Sequence, residues 1–195
     1  MTPPPPPPSL PPASPAPPGT DADARPIVLV GLMGAGKSTI GRLVARATGR
    51  ELVDVDLAIE ARTGRTVREL WEEGGEAAYR GLERDTVLDA LGRPGIVLAA
   101  PGGVVLDPTV RDALAPLRVV WLRADPEVLG ARVHADDHRP LLGADPAADL
   151  AAMAEVRDEL YRSVADLVVD SDAAGPEATA ARVLDWLDPP APTRS

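Results

Sequence analysis

Short apolar runs recur along the chain, separated by longer stretches whose apolar residues are spaced by three and four. Four runs read as strands: IVLV (Ile27–Val30), ELVDVD (Glu51–Asp56), IVLAA (Ile96–Ala100) and RVVWLRA (Arg118–Ala124), with DLVVDS (Asp166–Ser171) a fifth. They are near-continuous rather than alternating, as in strands covered on both faces. TVRELWEEG and EAAYRGLERDTVLDAL carry Val67, Leu70, Trp71, Leu82, Val87 and Leu91 at helical spacing. PAADLAAMAEVRDELYRSVA opens at Pro146 behind Asp145, a favourable helix start, and GPEATAARVLDWL closes the unit. Strands alternating with helices predict a three-layer α/β domain: a five-stranded parallel sheet with helices on both faces.

Composition sets the boundaries. Of the 23 prolines, 12 fall within the first 26 residues, in a stretch with almost no large apolar side chains. Residues 1–25 therefore read as a solvated, polyproline-like tail with neither the basic start nor the apolar core of a signal peptide. A passive tail is the simpler reading than a ligand for a partner domain. Residues 189–195 read as a frayed end, leaving 26–188 as the folded domain. With no cysteine, disulfides, thiolate metal sites and cysteine nucleophiles are excluded. A net charge of −10 argues against a nucleic-acid partner. No apolar run approaches the length that crosses a bilayer. The expectation is a cytoplasmic monomer with no membrane partner.

The chemistry begins directly after the first strand. GLMGAGKST (Gly31–Thr39) fits G-x-x-x-x-G-K-[ST] at Gly31, Gly36, Lys37 and Ser38. Glycines let successive N–H groups turn inward around an anion, and the following helix presents its positive end. Lys37 is the only lysine among 20 basic residues. It can reach the outer phosphates of a nucleoside triphosphate, while the Ser38 hydroxyl can ligate Mg2+. Gly34, Ala35, Gly36, Lys37, Ser38 and Thr39 are the expected ATP cradle.

LVDVD supplies two carboxylates. Read as strand residues, Asp54 and Asp56 project to the same side, over the crevice at the carboxyl end of a parallel sheet. Capping of a helix starting near Leu57 is the competing reading for either one. No hydrophobic run ending in a Walker B aspartate appears later, since IVLAA ends in PGG, so this pair is the expected support for magnesium.

These motifs together resemble the shikimate kinases, over nearly the whole folded region. GLMGAGKST is similar to the family's P-loop and VDVDLAIE to its D-x-D element. The resemblance implies a P-loop kinase fold, ATP as co-substrate with Mg2+, shikimate as acceptor and a place in chorismate and aromatic amino acid biosynthesis. It implies that Asp54 lies near magnesium, through water, and that Asp56 holds the acceptor hydroxyl. TGRTVRELWEEGGEAAYRGLE resembles the substrate-binding segment, with Arg80 as a substrate-carboxylate arginine supported by Glu83. PGG (Pro101–Gly103) corresponds to a triple glycine, giving Gly102 and Gly103 as substrate contacts. HADDHRPLL carries the lid arginine, Arg139, with Arg132 upstream near the nucleotide, and RDELY places Arg157 as the second carboxylate arginine. Two arginines can clamp a carboxylate with paired hydrogen bonds, Asp56 can orient a hydroxyl, and Lys37, Arg139 and magnesium can offset charge on the moving phosphoryl group. Read from the residues alone, Arg80 and Arg157 would be surface arginines of amphipathic helices.

Three departures stand out. Pro101 replaces the first glycine of the triple and removes an N–H. Trp71 and Tyr79 stand where the family usually has phenylalanines. DAAGPE lacks an arginine found beside the adenine in some members. His134 and His138 have a zinc-like spacing, but they flank Asp136 and Asp137 in a polar stretch without helical periodicity. Glu72 and Glu73 read as an exposed helix end. The competing readings are a related kinase, such as one for gluconate, and a catalytically impaired nucleotide-binding homologue. A switch GTPase is excluded, since its guanine motif needs a second lysine.

Overall fold

The computed structural model describes residues 24–133, 143, 145–171 and 175–188. Five strands form one parallel sheet in the order β2-β3-β1-β4-β5: β1 (Ile27–Val30), β2 (Glu51–Asp54), β3 (Ile96–Ala99), β4 (Arg118–Arg123) and β5 (Leu167–Asp170). Every residue of β1 and β3 is buried, which is why their runs are continuously apolar. The predicted α/β class, parallel sheet and five strands all hold. Helices cover both faces: α1 (Lys37–Thr48), α2 (Val55–Thr63), α3 (Val67–Leu91), α4 (Pro108–Leu114), α5 (Pro126–Val133), α6 (Pro146–Val164) and α7 (Gly175–Leu187). A 3-10 turn covers Val104–Leu106. The folded chain begins slightly before the expected Pro26. The Ala24 carbonyl accepts from Gly95 N–H at 2.8 Å, and that of Arg25 accepts from Arg50 at 2.7 Å.

Local chemistry fixes the ends. Asp107, Asp125 and Asp145 each precede a proline at a helix start. Asp107 caps Thr109 N–H at 2.8 Å, Asp125 caps Glu127 N–H at 2.8 Å, and Asp145 caps Ala148 N–H at 3.1 Å. Only the third of these signals stands out in the sequence; α4 and α5 are too short to show a helical period. The two segments read before and after Gly75 merge into α3, broken at that glycine by φ 71° and ψ 175°. Thr66 opens α3 with a reciprocal capping box to Glu69.

One expectation is corrected. β2 ends at Asp54, and Asp56 lies in the first turn of α2, so the two carboxylates do not project from one strand. The Asp54 side chain accepts from Leu57 N–H at 3.4 Å, which starts the helix two residues early.

Candidate active site

The nucleotide side is built where β1 runs into α1. Gly31 has φ 139°, and a Cβ there would lie 2.4 Å from the Leu122 carbonyl oxygen of β4, so only glycine fits. Gly36 caps α1 in a left-handed conformation, offering no side chain to the first turn, which holds no acidic residue. That helix end is set to receive an anion. Lys37 Nζ donates to the carbonyls of Gly31 and Leu32, at 2.7 and 2.9 Å, which folds the lysine back over the loop. Ala35 is buried and Thr39 exposed. Arg132 bridges the loop to the end of β5, donating to the Gly34 carbonyl at 3.3 Å and the Ser171 carbonyl at 2.9 Å. Arg139, His134 and His138 lie outside the described residues.

The Ser38 hydroxyl donates to Asp54 Oδ2. Asp54 thus caps α2 with one oxygen and meets the P-loop serine with the other. Among the described residues, no group of three or more acidic or histidine side chains could hold a metal ion unaided. A serine and a carboxylate at the phosphate end suit a magnesium ion that takes its other ligands from phosphate and water.

A second cluster, where the acceptor is expected, collects residues from α2, α3, α6 and the loop after β3. Asp56 is exposed, and the buried Tyr79 donates its hydroxyl to Asp56 Oδ1 at 3.1 Å. Arg80 donates to Glu83 at 2.5 Å, approaches Glu76 at 3.5 Å and lies over Trp71 at 5.4 Å. Its guanidinium rests against Gly103, where a Cβ would fall 2.4 Å from Nη1. From α6, Arg157 Nη1 donates to the Gly102 carbonyl at 3.3 Å, and Tyr161 Oη donates to the same oxygen at 2.5 Å. Both arginines and Asp56 lie within electrostatic reach of Glu83. The structure thus gathers Asp56, Arg80, Arg157, Gly102 and Gly103, which are far apart in the chain. Neither PGG glycine needs a positive φ, so their role is to leave room. Tyr161, wholly buried and stacked on Trp121 at 5.6 Å, escaped the sequence reading. Its only signal was its place one helical turn after Arg157.

Burial pushes the Glu83 carboxyl up to about 7, against the opposing pull of Arg80. A folded-state value above the ordinary 4.5 favours the protonated form on folding. That contribution is full below the ordinary value and fades as pH rises through about 7. The melting temperature of Glu83→Gln should accordingly fall less than the parent's between about pH 5 and pH 7. Parallel curves for the two proteins would place the titration elsewhere.

A glycine cradle at the start of α1, a serine–carboxylate pair beside it and a nearby cluster of two arginines and a carboxylate fit a P-loop phosphotransferase. The shikimate kinase family model matches residues 33–188. The shikimate kinase of Paramagnetospirillum magneticum is 44% identical over 165 residues, covering 84% of each chain. That of Burkholderia lata is 48% identical over 147 residues, covering 74% of this chain and 80% of its own. Among solved structures, shikimate kinase from Acinetobacter baumannii in complex with shikimate superposes with a TM-score of 0.81 at 34% identity, covering 84% of this chain and 92% of that one. The chain belongs to the shikimate kinase family.

Proposed function

We propose that this chain transfers the γ-phosphoryl group of ATP to the 3-hydroxyl of shikimate, giving shikimate 3-phosphate and ADP. The observation that carries the reading is that Arg80, Arg157 and Asp56 all lie within electrostatic reach of Glu83, with Arg80 against Gly103 and Arg157 bonded to the Gly102 carbonyl. Their guanidinium groups would grip the shikimate carboxylate and fix the ring. Asp56 would accept a hydrogen bond from the attacking hydroxyl and orient it, taking its proton as the bond to phosphorus forms. Gly102 and Gly103 line the acceptor side. The P-loop backbone from Gly34 to Thr39, with Lys37, would hold the phosphates, Arg132 would sit beside the nucleotide, and Arg139 would close over the transferring group. Ser38, and Asp54 through water, would hold Mg2+, which supplies charge neutralisation at the β- and γ-phosphates. Gluconate also carries a carboxylate, so the choice of acceptor separates this reading from a gluconate kinase.

The test is a coupled assay of ADP release with ATP and magnesium. Release should require shikimate and should not be supported by gluconate. Well-folded protein that turns over gluconate, or neither acceptor, would overturn the reading.

The same reading takes residues 26–188 as the catalytic unit, with tails at 1–25 and 189–195, acting as a cytoplasmic monomer without nucleic-acid partners. Among the described residues no helix is long and apolar enough to cross a membrane. Since Ala24 and Arg25 already bond to the domain, the informative truncation removes residues 1–23. Melting temperature and turnover should stay close to the parent's, because that segment has little apolar surface to bury. A marked loss of either would show that the tail docks.

A further inference from the structure

We infer that Tyr79 is a positioning residue for phosphoryl transfer, its hydroxyl pinning the Asp56 carboxylate in the orientation that meets the acceptor hydroxyl. The inference rests on the proposed role of Asp56 and extends it to a group outside the family's usual complement, which has phenylalanine at this place. Asp56 sits in the first turn of α2 as an exposed side chain. Tyr79 holds its carboxyl group from the buried side. It is only 2% exposed, and its hydroxyl reaches Oδ1 at 3.1 Å.

The direction of the bond is fixed. Burial, with the nearby charges of Asp56 and Glu83, holds the Tyr79 hydroxyl well above the ordinary tyrosine value, so it keeps its proton and donates. A neutral donor suits this place. A hydrogen bond from the tyrosine hydroxyl steadies the Asp56 carboxyl group without adding another cation beside it. The cation nearby, Arg80, is engaged with Glu83, Glu76 and the face of Trp71. Trp71 also props the tyrosine, its ring 5.6 Å from that of Tyr79 and tilted by 52°. Tyr79 and Arg80 are successive residues of α3, so one turn of helix orients both the acid and the carboxylate clamp.

Tyr79→Phe removes the hydroxyl and keeps the ring against Trp71. The expected result is a kcat about tenfold lower, with the shikimate dissociation constant and the KM for ATP within about twofold of the parent. In an Asp56→Asn background, followed by single-turnover transfer, Tyr79→Phe should add less than about twofold, because its effect passes through that carboxylate. The inference is overturned by an unchanged kcat in Tyr79→Phe, by a loss confined to shikimate affinity, or by an undiminished loss in the Asp56→Asn background. It is equally overturned if Tyr79→Phe loses its fold, since the hydroxyl's part would then be structural. A parent inactive with shikimate would remove the functional reading as well; an active parent indifferent to Tyr79→Phe removes this inference alone.

Discussion

Lys37→Arg should fold like the parent and lose phosphoryl transfer by a factor on the order of 10² or more. The chain places arginine at all its other basic positions, so a preference for lysine here cannot be a matter of charge. In the structure the ammonium tucks between the Gly31 and Leu32 carbonyls, two acceptors on adjacent residues of a tight turn. A compact group on a flexible stem can leave them and follow the β- and γ-phosphates as charge moves. A guanidinium is planar and broad, with five donors in a fixed fork, and the loop that must receive it is closed on its far side by β4 at Leu122. It would push the phosphates out of line or hold the loop away from them. Circular dichroism and melting should match the parent, while single-turnover transfer collapses. Near-parental transfer by Lys37→Arg would make the lone lysine an accident of composition.

Gly103→Ala is expected to cut kcat/KM for shikimate by about 10²-fold while leaving the KM for ATP nearly unchanged. The added Cβ would lie 2.4 Å from Arg80 Nη1 and 2.7 Å from Cζ, so something must move. Gly103 has φ −89°, a conformation alanine accepts, so the backbone has no reason to give. What yields is the tip of a long side chain. The melting temperature should therefore change little, and the whole effect should fall on the guanidinium, pushed off its seat between Glu83 and Trp71. Displacing a substrate-positioning group by roughly 1 Å is enough for a loss of this size. Unaltered kcat/KM for shikimate would show that Arg80 works from some other position.

The sheet was legible because parallel strands buried on both faces must be apolar throughout, and IVLV and IVLAA say so without help from periodicity. The P-loop was legible for a different reason: its glycines, lysine and serine sit at fixed spacing in one short segment. The proposed acceptor site was not open to spacing arguments. Asp56, Arg80, Gly103 and Arg157 come from four separate elements, and nothing local marks Arg80 or Arg157 as different from the other arginines on amphipathic helices. Family resemblance singled them out, and the fold brings them together. The Asp54–Asp56 geometry failed for a local reason. VDVD reads equally well as a strand continuing or as a cap followed by a helix, and the bond from Leu57 N–H decides for the cap. Tyr161 was missed because a buried aromatic on a helix is ordinarily core, and only the position of the Gly102 carbonyl reveals that its hydroxyl has a task.

The seating of Lys37 over its own loop has a practical consequence for anyone handling this protein. An acylating or aldehyde reagent directed at lysine has a single side-chain target in the sequence, and that target lies at the phosphate cradle. Adducts at this position are undiluted by surface lysines, and peptide mapping separates them from those on the α-amino group. Their rate of formation, followed by peptide mass with increasing ATP, would trace nucleotide occupancy without a coupled enzyme and without any acceptor present.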